Sequence, residues 1–223
     1  MMFRSKSRIG SSKTGFRKSE KLHASYISSM KQHFNSYREG LDLEFLQEYC
    51  INHGRLVLMA RGETLAEVGE QALYIAYIEK GCFKYIVHND IEGKDYITGF
   101  SFEGELTGDY PNCLYGYNSE ITLEADMPCT VYVIEGKELL RMYEEDVEKM
   151  RKGMQLAENL FLQTYTRYLD HYRLDARARY EKLLARCPKI VNQLSLKDIA
   201  SFLNVHPNTI SRIRKEITFE EKK

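Results

Sequence analysis

Between residues 55 and 134 the chain runs in short apolar stretches (56–60, 64–68, 72–78, 82–87, 96–102, 121–125 and 130–134), separated by glycine or Asn/Asp turns. That spacing predicts short antiparallel strands closed into a sandwich or barrel. The aromatic and β-branched side chains Tyr74, Ile75, Tyr77, Ile78, Phe83, Tyr85, Ile86 and Val87 suit a pleated, half-buried surface. Ahead of this region Leu41, Leu43, Phe45, Leu46 and Tyr49 are spaced as one short amphipathic helix, and residues 26–34 as another. After Gly136 the period changes. Residues 138–172 contain no proline and only Gly153 among glycines, so they read as one long helix. Along it Val147, Met150, Met154, Ala157, Phe161, Thr164, Tyr168 and His171 follow a 3-4 spacing. A helix with one such seam packs along a partner helix, and the seam is read as a dimerisation surface. The other reading is that it covers the β domain, a task for which Leu156, Leu160 and Leu162 lie off the seam. His171 is read as a packed or capping residue. A further helix spans 175–187 and is ended by Pro188.

The last periodic stretch, 194–215, reads as two short helices about a tight turn. Ser195 is placed to cap the first, with Asp198 three residues on. Ile199, Phe202 and Leu203 share a face, and Ala200 is small enough to admit a close neighbour. Asn204 tolerates the left-handed conformation a corner requires. His206 opens the second helix, with Pro207 at its first position, where a missing N–H costs nothing. Ile210 and Ile213 turn inward, which leaves Asn208, Thr209, Ser211, Arg212 and Lys215 outward. This is the layout of a DNA-binding helix-turn-helix; the alternative is an ordinary helical hairpin in an all-α core.

Charge sharpens this picture. The chain has 223 residues and a formal net charge of zero. Residues 1–21 nevertheless carry net +6, residues 173–217 net +6, and residues 22–172 net −12. A basic segment around the two helices is what phosphate contacts require, whereas an acidic centre keeps nucleic acid off the rest. Residues 1–21 read as a disordered basic tail, either a phosphate-touching arm or a solvated end. No apolar run is long enough for a membrane span or a secretory signal, so a cytoplasmic protein is expected. Cys50, Cys82, Cys113, Cys129 and Cys187 are scattered without a CxxC pair, which is read as free thiols rather than a zinc or iron–sulfur site. There is no nucleophile–base–acid set, P-loop or metal-ligand spacing, so an enzyme is not expected.

A β domain, a seam helix and a terminal helix-turn-helix, in that order, resemble the Crp/Fnr family of bacterial transcription regulators over roughly residues 40–217. Arg61-Gly62-Glu63-Thr64-Leu65 with Val68-Gly69-Glu70 resembles the family's first barrel turns. Tyr77-Ile78-Glu79-Lys80-Gly81-Cys82-Phe83-Lys84 resembles one of its strand pairs. Arg179-Tyr180-Glu181-Lys182-Leu183-Leu184, Ile199-Ala200-Ser201-Phe202-Leu203 and Thr209-Ile210-Ser211-Arg212-Ile213-Arg214-Lys215 resemble its DNA-binding helices. The resemblance implies an α+β fold. Its parts would be an N-terminal antiparallel β-roll effector domain with helices (22–136), a dimerisation helix (137–172) and a helix-turn-helix domain (173–223) without a full wing. It implies a homodimer on a palindromic operator in double-stranded DNA, with RNA polymerase as a further partner. The DNA-contacting set would be His206, Asn208, Thr209, Ser211, Arg212, Arg214 and Lys215. In the family the roll holds a cyclic nucleotide through a Gly-Glu pair and a later Arg-Ser pair. Gly104-Glu105-Leu106 match the first, although a plain turn would look the same. Ser119 and Glu120 stand where Arg-Ser is expected, and Asp109 adds another carboxylate. The implied pocket, Gly104, Glu105, Leu106, Ser119 and Glu120, therefore lacks the phosphate clasp. No cofactor is predicted, cyclic AMP is not expected to bind, and the effector is unknown. The rival class is a ligand-sensing or protein-interaction module whose helix-turn-helix no longer binds DNA.

Overall fold

A computed structural model of the chain describes residues 34–35, 43–188 and 190–220. The first helix, α1 (Glu44–His53), leads into strands β1 (Arg55–Met59), β2 (Thr64–Ala66), β3 (Tyr74–Lys80), β4 (Cys82–Asn89), β5 (Lys94–Phe102) and β6 (Leu106–Gly108). A four-residue helix α2 (Asn112–Tyr115) precedes β7 (Thr122–Ala125) and β8 (Cys129–Glu135). The rest is helical: α3 (Gly136–Glu145), α4 (Val147–Arg173), α5 (Ala176–Arg186), α6 (Ile190–Gln193), α7 (Leu196–Phe202) and α8 (Pro207–Glu220). The sequence expectations for residues 1–21 and for a helix over 26–34 fall outside the described residues, apart from Phe34.

Two antiparallel four-stranded sheets, ordered β1-β8-β3-β6 and β2-β7-β4-β5, make the roll. The strands alternate as the sequence predicts. In β8, Cys129, Val131 and Val133 point inward, where they meet Ile78, Phe83 and Leu123 from both sheets. The outer face of the first sheet is covered by helices. Ile75 and Ile134 pack against Leu46 and Cys50 of α1, Leu139 and Met142 of α3, and Leu156 of α4. On the other side Cys82, Phe100 and Phe102 join Tyr180, Leu183, Ile199, Ile210 and Ile213 in one buried cluster, so the C-terminal helices share a core with β5. The Ile97 amide also donates to Ser201 Oγ at 2.9 Å. Strand β6 lies outside every apolar run read from sequence. It is three residues long and pairs only at Ile75–Gly108, Ala76–Thr107 and Tyr77–Leu106.

The helix expected over 138–172 is divided. At Asp146 the backbone turns extended, and its carboxylate accepts from the Glu148 and Lys149 amides at 2.9 and 3.2 Å, capping α4. An N-cap aspartate interrupts a helix without any glycine or proline, so the periodicity alone does not reveal the break. Gly153 serves the packing of α3 on α4. A Cβ there would lie 2.6 Å from Cζ of Tyr143, nearer than side chains approach. Across α4 the faces differ sharply. Gly153, Leu156, Asn159, Gln163 and Asp170 are buried against the body. The seam residues Val147, Met150, Met154, Ala157, Phe161, Thr164 and Tyr168 are all exposed, as is His171. Among the described residues no helix is long and apolar enough to cross a membrane, and no group of His, Cys, Asp or Glu could hold a metal ion.

Candidate functional site: two terminal helices and a cavity under the long helix

The α7–turn–α8 unit follows from local chemistry. Ser195 Oγ accepts from the Asp198 amide at 3.1 Å and donates to Asp198 Oδ2 at 2.5 Å, closing the first turn of α7. Asn204 has φ 51, the one left-handed non-glycine among the described residues, and makes the corner. The Val205 amide returns to the Ala200 carbonyl at 2.9 Å across a residue with no exposed surface. His206 starts α8 in a way the sequence did not foretell: its Nδ1 accepts the Asn208 amide at 3.2 Å, so the ring acts as a cap. Pro207 is the first helical residue. Ile210 and Ile213 are buried. Asn208, Arg212 and Lys215 are exposed, and Thr209, Ser211 and Arg214 half-buried, on the remaining surface. Arg212 Nε lies 3.8 Å from Glu216 Oε1, both ends open to water. Such a pair holds little energy and leaves the guanidinium available. Arg177 of α5 binds Glu220 at 2.5 Å, tying down the end of α8. The sequence reading places residues 218–223 after the second helix, in the helix-turn-helix domain without a full wing; the helix instead continues through Glu220.

A second feature is a cavity of about 510 Å³ between the roll and α4. Gly104, Glu105 and Leu106 line it, together with Asp109, Ile121 and the α4 side chains Gln163, Thr164 and Arg167. Gly104 has φ 85, a conformation that suits glycine, and its carbonyl accepts from Gln47 of α1 at 2.9 Å. Ser119 and Glu120, by contrast, do not reach the cavity. Ser119 is buried and donates to Asp109 Oδ2 at 2.6 Å, while Glu120 faces solvent. Counting back from a strand identifies the loop positions but not the direction of their side chains.

Glu105 is 5 % exposed and is engaged within the protein. It accepts the Asn35 amide at 2.8 Å, Asn35 Nδ2 at 3.0 Å and the Phe102 amide at 2.9 Å. Asn35 continues the network. Its Nδ2 reaches the Phe100 carbonyl at 2.7 Å, Gln163 Nε2 donates to its Oδ1 at 2.6 Å, and Asn159 Nδ2 donates to its carbonyl at 2.9 Å. Beside it Phe34 packs edge-on against Phe102 at 5.3 Å and at a tilt against Phe202 of α7 at 5.6 Å. Asn35, Asn159, Gln163 and Arg167 escape the sequence reading. The last three recur every four residues on α4 opposite the seam, a polar stripe that stays unnoticed when only apolar periodicity is followed.

Burial raises the Glu105 carboxyl to about 7, against the opposing pull of the Asn35 and Phe102 donors. The folded chain therefore holds this proton where the unfolded chain, near 4.5, has released it. The resulting stabilisation is complete below pH 4.5 and is lost as pH rises to about 7, a change of about 3 kcal/mol. A Glu105→Gln variant should lose that slope. Chemical denaturation at intervals from pH 4.5 to 7.5 measures it, and a slope unchanged by the substitution would contradict the assignment.

The class of domain follows from these observations: an antiparallel β-roll flanked by helices, joined through its second sheet to a helical C-terminal unit. A family model described as the cyclic nucleotide-binding domain matches residues 56–146, from β1 through α3. Among solved structures, FixK2 from Bradyrhizobium japonicum is similar at a TM-score of 0.68 and 18% identity, over 75% of this chain and 86% of that one. CLP, a c-di-GMP-responsive global regulator of Xanthomonas campestris, gives 0.60 and 17%, over 81% and 93%. A protein from Eubacterium rectale described as a transcriptional regulator of the Crp/Fnr family gives 0.59 and 15%, over 78% and 83%. At these identities the likeness is one of fold. No curated protein matches the chain by sequence.

Proposed function

We propose that the chain is a homodimeric, sequence-specific DNA-binding transcription regulator of the Crp/Fnr type, acting in the cytoplasm on double-stranded DNA. The observation that carries this reading is the α7–turn–α8 unit, which leaves Asn208, Arg212 and Lys215 exposed along one surface of a helix whose other side is buried. A similar fold in regulators of transcription supports it. In this reading α8 enters the major groove. Arg212 presents a planar two-pronged donor suited to guanine, Asn208 and Thr209 read a base or fix a phosphate, and Ser211, Arg214 and Lys215 hold phosphates. His206 contributes by starting the helix. The exposed seam of α4 joins two copies and sets two α8 helices about 34 Å apart, one DNA turn. RNA polymerase is the partner such a regulator addresses.

The roll is proposed not to take cyclic AMP in the family's manner. The cavity's lining includes the acidic residues Glu44, Glu105 and Asp109, and its lining cation among the described residues is Arg167, which comes from α4 and donates to the Thr98 carbonyl at 2.6 Å. Glu105, which would meet a ribose, already accepts three N–H groups.

Arg212→Ala should relax preference at one base position per half-site and cost about 1–3 kcal/mol in binding. Affinity measured on a panel of single-base operator variants tests this. Unchanged affinity and preference would remove Arg212 from the reading set.

A further inference from the structure

Where the end of α4 meets α5 and α7 there is a second cavity, of about 410 Å³. Its walls carry four cations, Arg167, Arg179, Lys182 and Arg186, against one carboxylate, Asp170. That carboxylate is already committed: Asp170 Oδ2 lies 2.5 Å from Lys182 Nζ and Oδ1 lies 2.8 Å from Arg173. Arg167 and Arg179 meet no carboxylate among the described residues. The guanidinium of Arg167 donates to the Thr98 carbonyl and lies 5.2 Å from the Phe202 ring centre. That of Arg179 donates to the Leu174 and Leu203 carbonyls at 3.0 and 3.4 Å. These partners hold the side chains in place but neutralise nothing. The Nε atoms of both are buried and have no acceptor. Isolated charge removed from water is costly unless an opposite charge joins it.

The charge is felt locally. Burial draws Arg167 and Arg186 down to about 10. His171, on the same wall, is lowered by burial and then by the charges of Arg179 and Arg167.

We propose that this cavity is a binding site for a small phosphate ester. Guanidinium groups offer paired, coplanar N–H donors that match a phosphate's oxygens, and a dianion meets those of Arg167 and Arg179 together. Leu183, Phe202 and Leu203 provide an apolar wall for the organic part of the ester. The volume lies in the range of small-molecule sites. The site is distinct from the roll's cavity in its walls, which come from α4, α5 and α7, and shares only Arg167 with it. An occupant would bridge the helix bearing the seam and the helix preceding the corner at Asn204. A regulatory consequence rests on the proposed DNA-binding function, whereas the binding itself does not.

The test uses the full chain without DNA, so failure of the DNA reading leaves it unaffected. Phenyl phosphate is the probe and inorganic phosphate the comparison, both at constant ionic strength, followed by titration calorimetry and by the arginine Nε–H resonances. Phenyl phosphate should bind at least tenfold more tightly than inorganic phosphate. The Arg167 and Arg179 resonances should shift while that of Arg212 stays. Arg179→Gln should weaken binding at least tenfold. Ala185→Glu, which places a carboxylate on the exposed side of the cavity wall and leaves every arginine intact, should do the same if Arg179→Gln perturbs folding. Absence of binding at millimolar probe, shifts confined to Arg212, or full affinity in a folded Ala185→Glu protein would each overturn the proposal.

Discussion

A Met154→Glu/Phe161→Glu variant is expected to be monomeric and to bind a two-half-site operator at least a hundredfold more weakly than the parent. Met154 is 58% exposed and Phe161 68% in the single chain, an unusual exposure for side chains of their size. They are not scattered. Val147, Met154, Phe161 and Tyr168 recur every seven residues, and Met150, Ala157, Thr164 and His171 fill the intervening seam, the arrangement that pairs two helices. Phe161 also stacks on Tyr165, ring centres 5.5 Å apart, which widens the apolar strip. About a twofold axis each glutamate would meet its own copy, so two like charges per position would be buried together. Loss of the proposed dimer would remove the second half-site contact, a factor of about 10²–10⁴ through effective concentration. Sedimentation velocity reports the assembly and gel retardation the affinity. A variant that remains dimeric would move the interface elsewhere.

Asn35→Ala is expected to cost about 3 kcal/mol and to lower the melting temperature by about 10 °C. The side chain joins the roll to α4, binding Glu105 and the Phe100 carbonyl in the former and Gln163 in the latter. Its removal leaves a buried carbonyl and a buried amide each short of a partner, at about 1–3 kcal/mol per group. Asn35→Asp keeps the shape but sets a second carboxylate against Glu105. Its deficit should therefore grow as pH rises past about 7, where Glu105 ionises. Thermal melts at pH 5.5 and 8 separate the two effects. A melting temperature unmoved by Asn35→Ala would show that the network contributes nothing to stability.

The roll was legible in the sequence because each strand carries its own turn residues and its own alternation, and seven strands fall on the runs expected. Strand β6 was not, since three residues give no period to detect. The corner at Asn204, the cap at Ser195 and the proline opening α8 were readable one residue at a time. The break at Asp146 was not, because a carboxylate capping a helix start looks like any acidic residue inside a helical period. The cavity was half readable. Gly104 and Glu105 carry a local signature, whereas Asn35 lies 70 residues before Glu105 and its role arises only from folding. Ser119 and Glu120 were read as part of the pocket, but neither lines the cavity: one turns to Asp109 and the other to water.

Sequence-specific DNA binding by the proposed dimer can be measured by selecting duplexes from a random pool with the full chain and titrating salt against the selected site. The expected result is an enriched palindrome with half-site centres about one helical turn apart, and affinity that falls steeply as salt rises. A pool without enrichment, bound with an affinity indifferent to salt, would contradict it.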